Sequence, residues 1–138
     1  MRYTATASIV GMAMAWATIV AGAQGAGGDP AAAAVKNPVA STPESIAEGR
    51  KQYTTYCRHC HGAKGLGDGP LAPTNPSPAN LTDDKWDHGS TDGEIFAVIA
   101  NGLGPDSPMK GTKNLLKPSD IWNVINYVRS LGPAPAAP

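Results

Sequence analysis

The sequence predicts an all-α chain of three or more helices, and three observations carry that expectation. Apolar residues recur at three- and four-residue spacing in residues 95–99 and again in residues 121–131. Helix-start chemistry stands ahead of each helical stretch: Thr42-Pro43-Glu44, Thr91-Asp92-Gly93-Glu94 and Pro118. The longest remaining segment, residues 62–85, holds four glycines and four prolines, with no alternation long enough for a strand.

Taken in order, residues 1–23 read as a secretory signal peptide. Arg2 gives the positive start, residues 9–20 an apolar run, and Ala21-Gly22-Ala23 a small-x-small cleavage site. The run is too short to span a bilayer, so cleavage after Ala23 and a soluble exported protein are expected; an uncleaved anchor is the alternative. Met1, Met12 and Met14 would leave with the leader, and Met109 alone would remain. Residues 24–43, rich in Ala, Gly and Pro with almost no large apolar side chain, read as a flexible linker. Residues 44–132 form the foldable domain, and residues 133–138 a Pro/Ala-rich tail.

Within the domain, Thr42 caps a first helix on which Ile46, Gly49, Tyr53, Tyr56 and Cys57 recur at helical spacing. Thr91 and Glu94 form a capping box for a second helix that Asn101-Gly102 stops. The last helix begins near Pro118, carries Ile121, Trp122, Val124, Ile125, Tyr127, Val128 and Leu131, and ends at Gly132-Pro133. A core of some ninety residues is marginal on its own.

The first helix leads into Cys57-Arg58-His59-Cys60-His61, which contains both cysteines of the chain. C-x-x-C-H is the attachment signature of a c-type haem. Two thiols about one helical turn apart can add to the two vinyl groups of one porphyrin, and the next side chain offers an imidazole to iron. A redox dithiol would want a βαβ setting that the sequence lacks. A zinc site could draw on Cys57, Cys60, His61 and His88, but His88 stands alone where a second ligand pair belongs. Haem attachment outside the cytoplasm agrees with the leader, and a buried haem would complete the small core.

With these residues in view, 44–132 resembles a class I monohaem c-type cytochrome. In that family a small residue and an aromatic on the first helix cross an apolar-aromatic pair on the last, here Gly49 and Tyr53 against Val124 and Tyr127. The stretch 86–96, from Trp86 through His88-Gly89-Ser90 to Phe96, is similar to bacterial cytochromes that work beside periplasmic dehydrogenases. The resemblance implies His61 and Met109 as axial ligands. Met109 follows His61 by forty-eight residues in an inter-helix loop, although Pro108 precedes it where the family usually has a proline following. His88 is the second candidate. His59, inside the attachment segment, is sterically excluded. The resemblance further implies a proline carbonyl as acceptor for the second nitrogen of His61, with Pro76 and Pro78 both qualifying; Leu81, Trp122 and Tyr127 are expected to pack near the ring or its propionates, with plain core packing as the alternative.

Haem c with His and Met ligands leaves no open coordination position and suits single-electron transfer, so no catalytic residue is expected. The function read from the sequence is a periplasmic electron carrier between a dehydrogenase or quinol-oxidising complex and a terminal oxidase, monomeric and without a nucleic-acid partner. The alternatives are a haem enzyme or gas-binding module with an open or histidine-ligated iron, and a fixed cytochrome subunit of a larger dehydrogenase or oxidase. Gly65-Leu66-Gly67-Asp68-Gly69 lacks the Gly-Lys-Ser/Thr of a phosphate loop and reads as a tight turn, and Asn80-Leu81-Thr82 matches a glycosylation acceptor without an assigned role. Removing Arg2 leaves ten basic against eleven acidic side chains, so placement matters more than sum. Arg58 and Lys64 flank the attachment segment, Lys110, Lys113 and Lys117 follow Met109, and Asp83, Asp84 and Asp87 cluster apart from them. A basic docking side around the electron exit is expected.

Overall fold

The computed structural model describes residues 28–132; the leader and the tail expected at 133–138 lie outside them. Five helical segments follow one another: α1 (Pro30–Ala33), α2 (Pro43–Tyr56), α3 (Arg58–His61), α4 (Asp92–Asn101) and α5 (Pro118–Leu131). Among the described residues there is no strand, and one isolated bridge pairs Gly102 with Lys110.

Each long helix starts on local chemistry. Thr42 accepts from the Ser45 amide at 3.2 Å, with Pro43 at the first helical position. Thr91 and Glu94 cap each other reciprocally, the Thr91 amide donating to Glu94 at 2.9 Å and the Glu94 amide to Thr91 at 3.3 Å. At α5 the Lys117 amide donates to Asp120 at 3.2 Å. The turn chemistry of Asn80 is also local: its carbonyl oxygen accepts from the amide and hydroxyl of Thr82, which accounts for the Asn-Leu-Thr pattern without a sugar.

The core forms where α5 crosses α2. Ile121, Val124, Ile125 and Tyr53 are essentially inaccessible, and Ile95, Ile99, Leu116, Trp122 and Val128 close around them. Gly49 sits at the crossing, where a Cβ would overlap the carbonyl of Asn123; its hydrogen lets the two backbones touch. The Tyr53 and Tyr127 rings meet beside it, centroids 5.1 Å apart and tilted by 59°. Phe96 of α4 stacks on Trp122 at 4.2 Å.

The segment expected to be a loose linker behaves otherwise over its described part. Asp29 caps α1 by accepting from the Ala31 amide at 2.9 Å, and the backbone at Ala32 and Val35 lies directly against Gly93. Farther along, the buried Asn126 side chain binds the strap in both directions. Its amide donates to the carbonyls of Val39 and Ala40 at 3.2 and 3.3 Å and to the Ser45 hydroxyl at 2.7 Å, while its oxygen accepts from Asn37 at 2.9 Å. Residues 28–42 are therefore a strap laid over α4 and α5. The composition argument failed because polar side chains and backbone carbonyls, with Val39 packed against the core, hold it without a run of large apolar residues.

Candidate functional site

The end of α2 turns directly into the short α3, so Cys57, Cys60 and His61 share one helical turn. The Cys57 carbonyl accepts from the amides of Cys60 and His61 at 3.2 and 2.9 Å. The following loop then winds back over this turn and covers its remaining carbonyls. The amides of Gly67, Gly69 and Leu71 donate to His61, Cys60 and His59 at 2.9, 3.0 and 2.8 Å. The buried Tyr53 hydroxyl donates to the Gly62 carbonyl at 2.8 Å. The glycine-rich stretch is thus a collar around the attachment segment, which explains it without any phosphate.

His61 is oriented by a carbonyl, but not by the expected one. Its Nδ1 lies 3.2 Å from the oxygen of Ala79. Neither Pro76 nor Pro78 serves: Pro76 stands exposed, and the Pro78 carbonyl faces Gly67, 2.5 Å from where a Cβ would stand on that glycine. A carbonyl can only accept, so the ring proton sits on Nδ1 and the Nε2 lone pair is free for a metal. Burial holds the imidazole below its usual range, against the opposing pull of the Ala79 bond, and so favours this neutral form.

The two thiols fit covalent attachment of haem. Both are unpaired, and both are partly exposed. Burial pushes the Cys57 thiol up to about 12, with a smaller contribution from Cys60, which is the reverse of the acidic thiol that a redox dithiol needs. Nor does a zinc set assemble: among the described residues no three His, Cys, Asp or Glu side chains stand close enough to hold a metal ion, and His88 is exposed on the loop before α4. What the residues offer is two thiols and an oriented imidazole.

Several of the expected residues pack against the common core. Cys57, Leu81 and Met109 are half-buried against the core that contains Trp122, and Phe96 joins them. Leu81 is fixed by its amide, which donates to Gly65 at 2.6 Å. Tyr127 lies within the α2–α5 crossing against Tyr53. Sequence reasoning missed Ala79, because any residue type carries the same carbonyl, and Phe96, whose helical spacing marks it as core without saying which edge. Two of the five candidate docking lysine and arginine side chains are engaged within the chain. Lys110 donates to the Pro105 carbonyl at 2.6 Å, and Lys113 reaches Asn101 at 3.4 Å.

A helical fold with these groups on one turn defines the class: this is a c-type cytochrome, a domain for electron transfer through covalently bound haem c. The chain belongs to the family described as cytochrome c oxidase, cbb3-type, subunit III, whose model matches residues 44–128. Among its relatives is the cbb3-type cytochrome c oxidase subunit CcoP of Rubrivivax gelatinosus, 35% identical over 98 residues, covering 70% of this chain and 29% of that protein. The corresponding subunit FixP of Azorhizobium caulinodans is 40% identical over 96 residues, covering 64% of this chain and 30% of that protein. The chain thus spans less than a third of the length of these relatives. Similar solved structures include a reducing HAO-like protein complex of Kuenenia stuttgartiensis, with a TM-score of 0.63 and 28% identity over 72% of this chain and 50% of that one. Cytochrome cL of Methylophaga aminisulfidivorans aligns with a TM-score of 0.52 and 28% identity over 64% of this chain and 53% of that one.

Proposed function

We propose that this chain is a one-electron relay on the exported side of the membrane that works in contact with a terminal oxidase and feeds electrons to it. The observation that carries the reading is the oriented His61 imidazole beside two unpaired thiols. Kinship with oxidase subunits supports an oxidase as partner and favours an associated relay over the freely diffusing shuttle expected from the sequence.

Cys57 and Cys60 would hold the haem covalently, and His61 Nε2 and Met109 would ligate its iron. The haem supplies an iron couple that takes up and releases one electron. Ala79 fixes the imidazole plane and, by accepting from Nδ1, increases electron donation at Nε2. Leu81, Phe96 and Trp122 supply an apolar wall, and a thioether ligand with restricted water raises the potential. With His61 and Met109 both holding the iron, the site would offer no position for substrate, and no general acid or base would be required. Both cysteines of the chain lie in the one attachment segment, so this chain offers attachment for a single haem.

Replacing Met109 by Ala tests the ligand set. Covalent haem is retained through Cys57 and Cys60, while the sulfur-to-iron absorption band is lost, the potential falls and carbon monoxide binds rapidly to the ferrous protein. Retention of the parent band in the variant would remove Met109 from the site and direct the test to His88.

A further inference from the structure

Met109 stands on a loop of unusual closure. Gly102 and Gly111 face each other at its neck. A Cβ on Gly102 would stand 2.6 Å from both the Gly111 nitrogen and the Met109 oxygen, and one on Gly111 would stand 2.5 Å from the Ala100 oxygen. Gly102 also has a φ of +74°, a region that L side chains rarely adopt. Three bonds tie the neck: the Leu103 amide donates to Met109 at 3.1 Å, and the amides of Thr112 and Lys113 donate to Ile99 and Ala100 at 2.9 and 3.1 Å. The buried Thr112 hydroxyl adds a further bond to Ile99 at 2.9 Å.

Inside the neck, the Ser107 hydroxyl accepts from the Met109 amide at 3.1 Å. The Lys110 ammonium crosses to the Pro105 carbonyl at 2.6 Å, joining the outgoing arm of the loop to its tip. Both polar groups of the Met109 backbone are thus engaged within the loop itself, so its backbone is fixed by the protein alone.

We propose that the Gly102–Gly111 pinch, latched by Lys110, is the positioning element that holds Met109 in place as the second axial ligand. The inference rests on Met109 being that ligand. A pre-set loop lowers the entropy that the methionine loses on ligating, and so raises its effective concentration against any competing ligand. Lys110 is accordingly a positioning residue rather than a docking charge.

The test uses the full-length, haem-loaded ferric protein, with imidazole as competing ligand and the sulfur-to-iron band as the spectroscopic report. Lys110→Met keeps the aliphatic stem and removes the donor. It is expected to raise the apparent imidazole affinity about threefold to tenfold, the factor for one modest hydrogen bond, with the thermal midpoint of global unfolding unchanged. Lys110→Arg restores the parent affinity. Gly111→Ala forces the neck open, so the band is weakened or lost while covalent haem remains. Imidazole affinities for Lys110→Met equal to the parent's, or failure of Lys110→Arg to rescue, would overturn the latch even if Gly111→Ala does not fold. A parent protein without the band would instead overturn the ligand assignment on which the latch depends.

Discussion

Tyr53 joins stability and site in one side chain. Its ring fills the α2–α5 crossing and its hydroxyl holds the carbonyl that follows His61. Burial raises the Tyr53 hydroxyl well above its usual range, with smaller contributions from Cys57, Tyr127 and Asp68. The folded-state value therefore exceeds the unfolded one, near 10. The sign follows: above the unfolded value the unfolded chain ionises while the folded chain cannot, so stability present below about pH 10 is lost as pH rises past it. Denaturant melts of the parent are expected to show a falling stability from that point upward, and Tyr53→Phe a shallower fall. Equal slopes for both proteins would assign the alkaline loss to other groups. At this scale the sequence was most legible where chemistry depends on side-chain type. Cys57, Cys60 and His61 stand out by spacing, whereas Ala79 acts through a carbonyl that every residue shares, and only the path of residues 62–79 decides which carbonyl meets the imidazole.

The helices were legible from their ends, because a cap such as Thr91 with Glu94 is complete within four residues. Gly49 was also legible as a crossing point, since only a missing side chain permits the contact with Asn123. Gly49→Ala should cost about 1–3 kcal/mol or more by overpacking, although it improves helix propensity, and thermal unfolding measures the balance. A gain in stability would show that the crossing can part without loss. The strap was illegible for a physical reason. Asn37 and Asn126 are 89 positions apart, and the groups that Asn126 holds are a hydroxyl and two carbonyls with no local pattern. Asn126→Ala removes several buried bonds at once and leaves their partners unsatisfied, so a loss of about 2–4 kcal/mol is expected. Amide exchange over residues 28–42 should quicken in the same variant, and unchanged exchange there would mean that the strap is held elsewhere.

On the scale of the whole molecule, the proposed relay depends on which side would meet an oxidase partner. Charge sums give no direction, because basic and acidic side chains nearly balance. Placement does, once the engaged groups are set aside. Lys51 pairs with Glu48 at 2.7 Å and Arg129 with Asp92 at 2.9 Å, while Lys110 and Lys113 are bound within the Met109 loop. Among the described residues Arg58, Lys64 and Lys117 are exposed and make no ion pair, the first two in and beside the attachment segment and the third after the Met109 loop, while Lys36, Arg50 and Lys85 are exposed and unpaired elsewhere. Arg58, Lys64 and Lys117 are thus cations left for a partner in or next to the two segments that carry the iron ligands in the proposed site. An acidic surface on the oxidase would be drawn to that side, with an association rate that rises as salt falls. Replacing Lys64 and Lys117 together by Glu is expected to slow electron transfer to the oxidase by about tenfold at low ionic strength and to flatten its salt dependence. The sulfur-to-iron band, the imidazole affinity and the unfolding midpoint should stay at parent values, since neither side chain is bonded to the ligand loops. Stopped-flow oxidation of the reduced protein across a salt series reads the rate, and a parent-like rate at the lowest salt would place docking on another face.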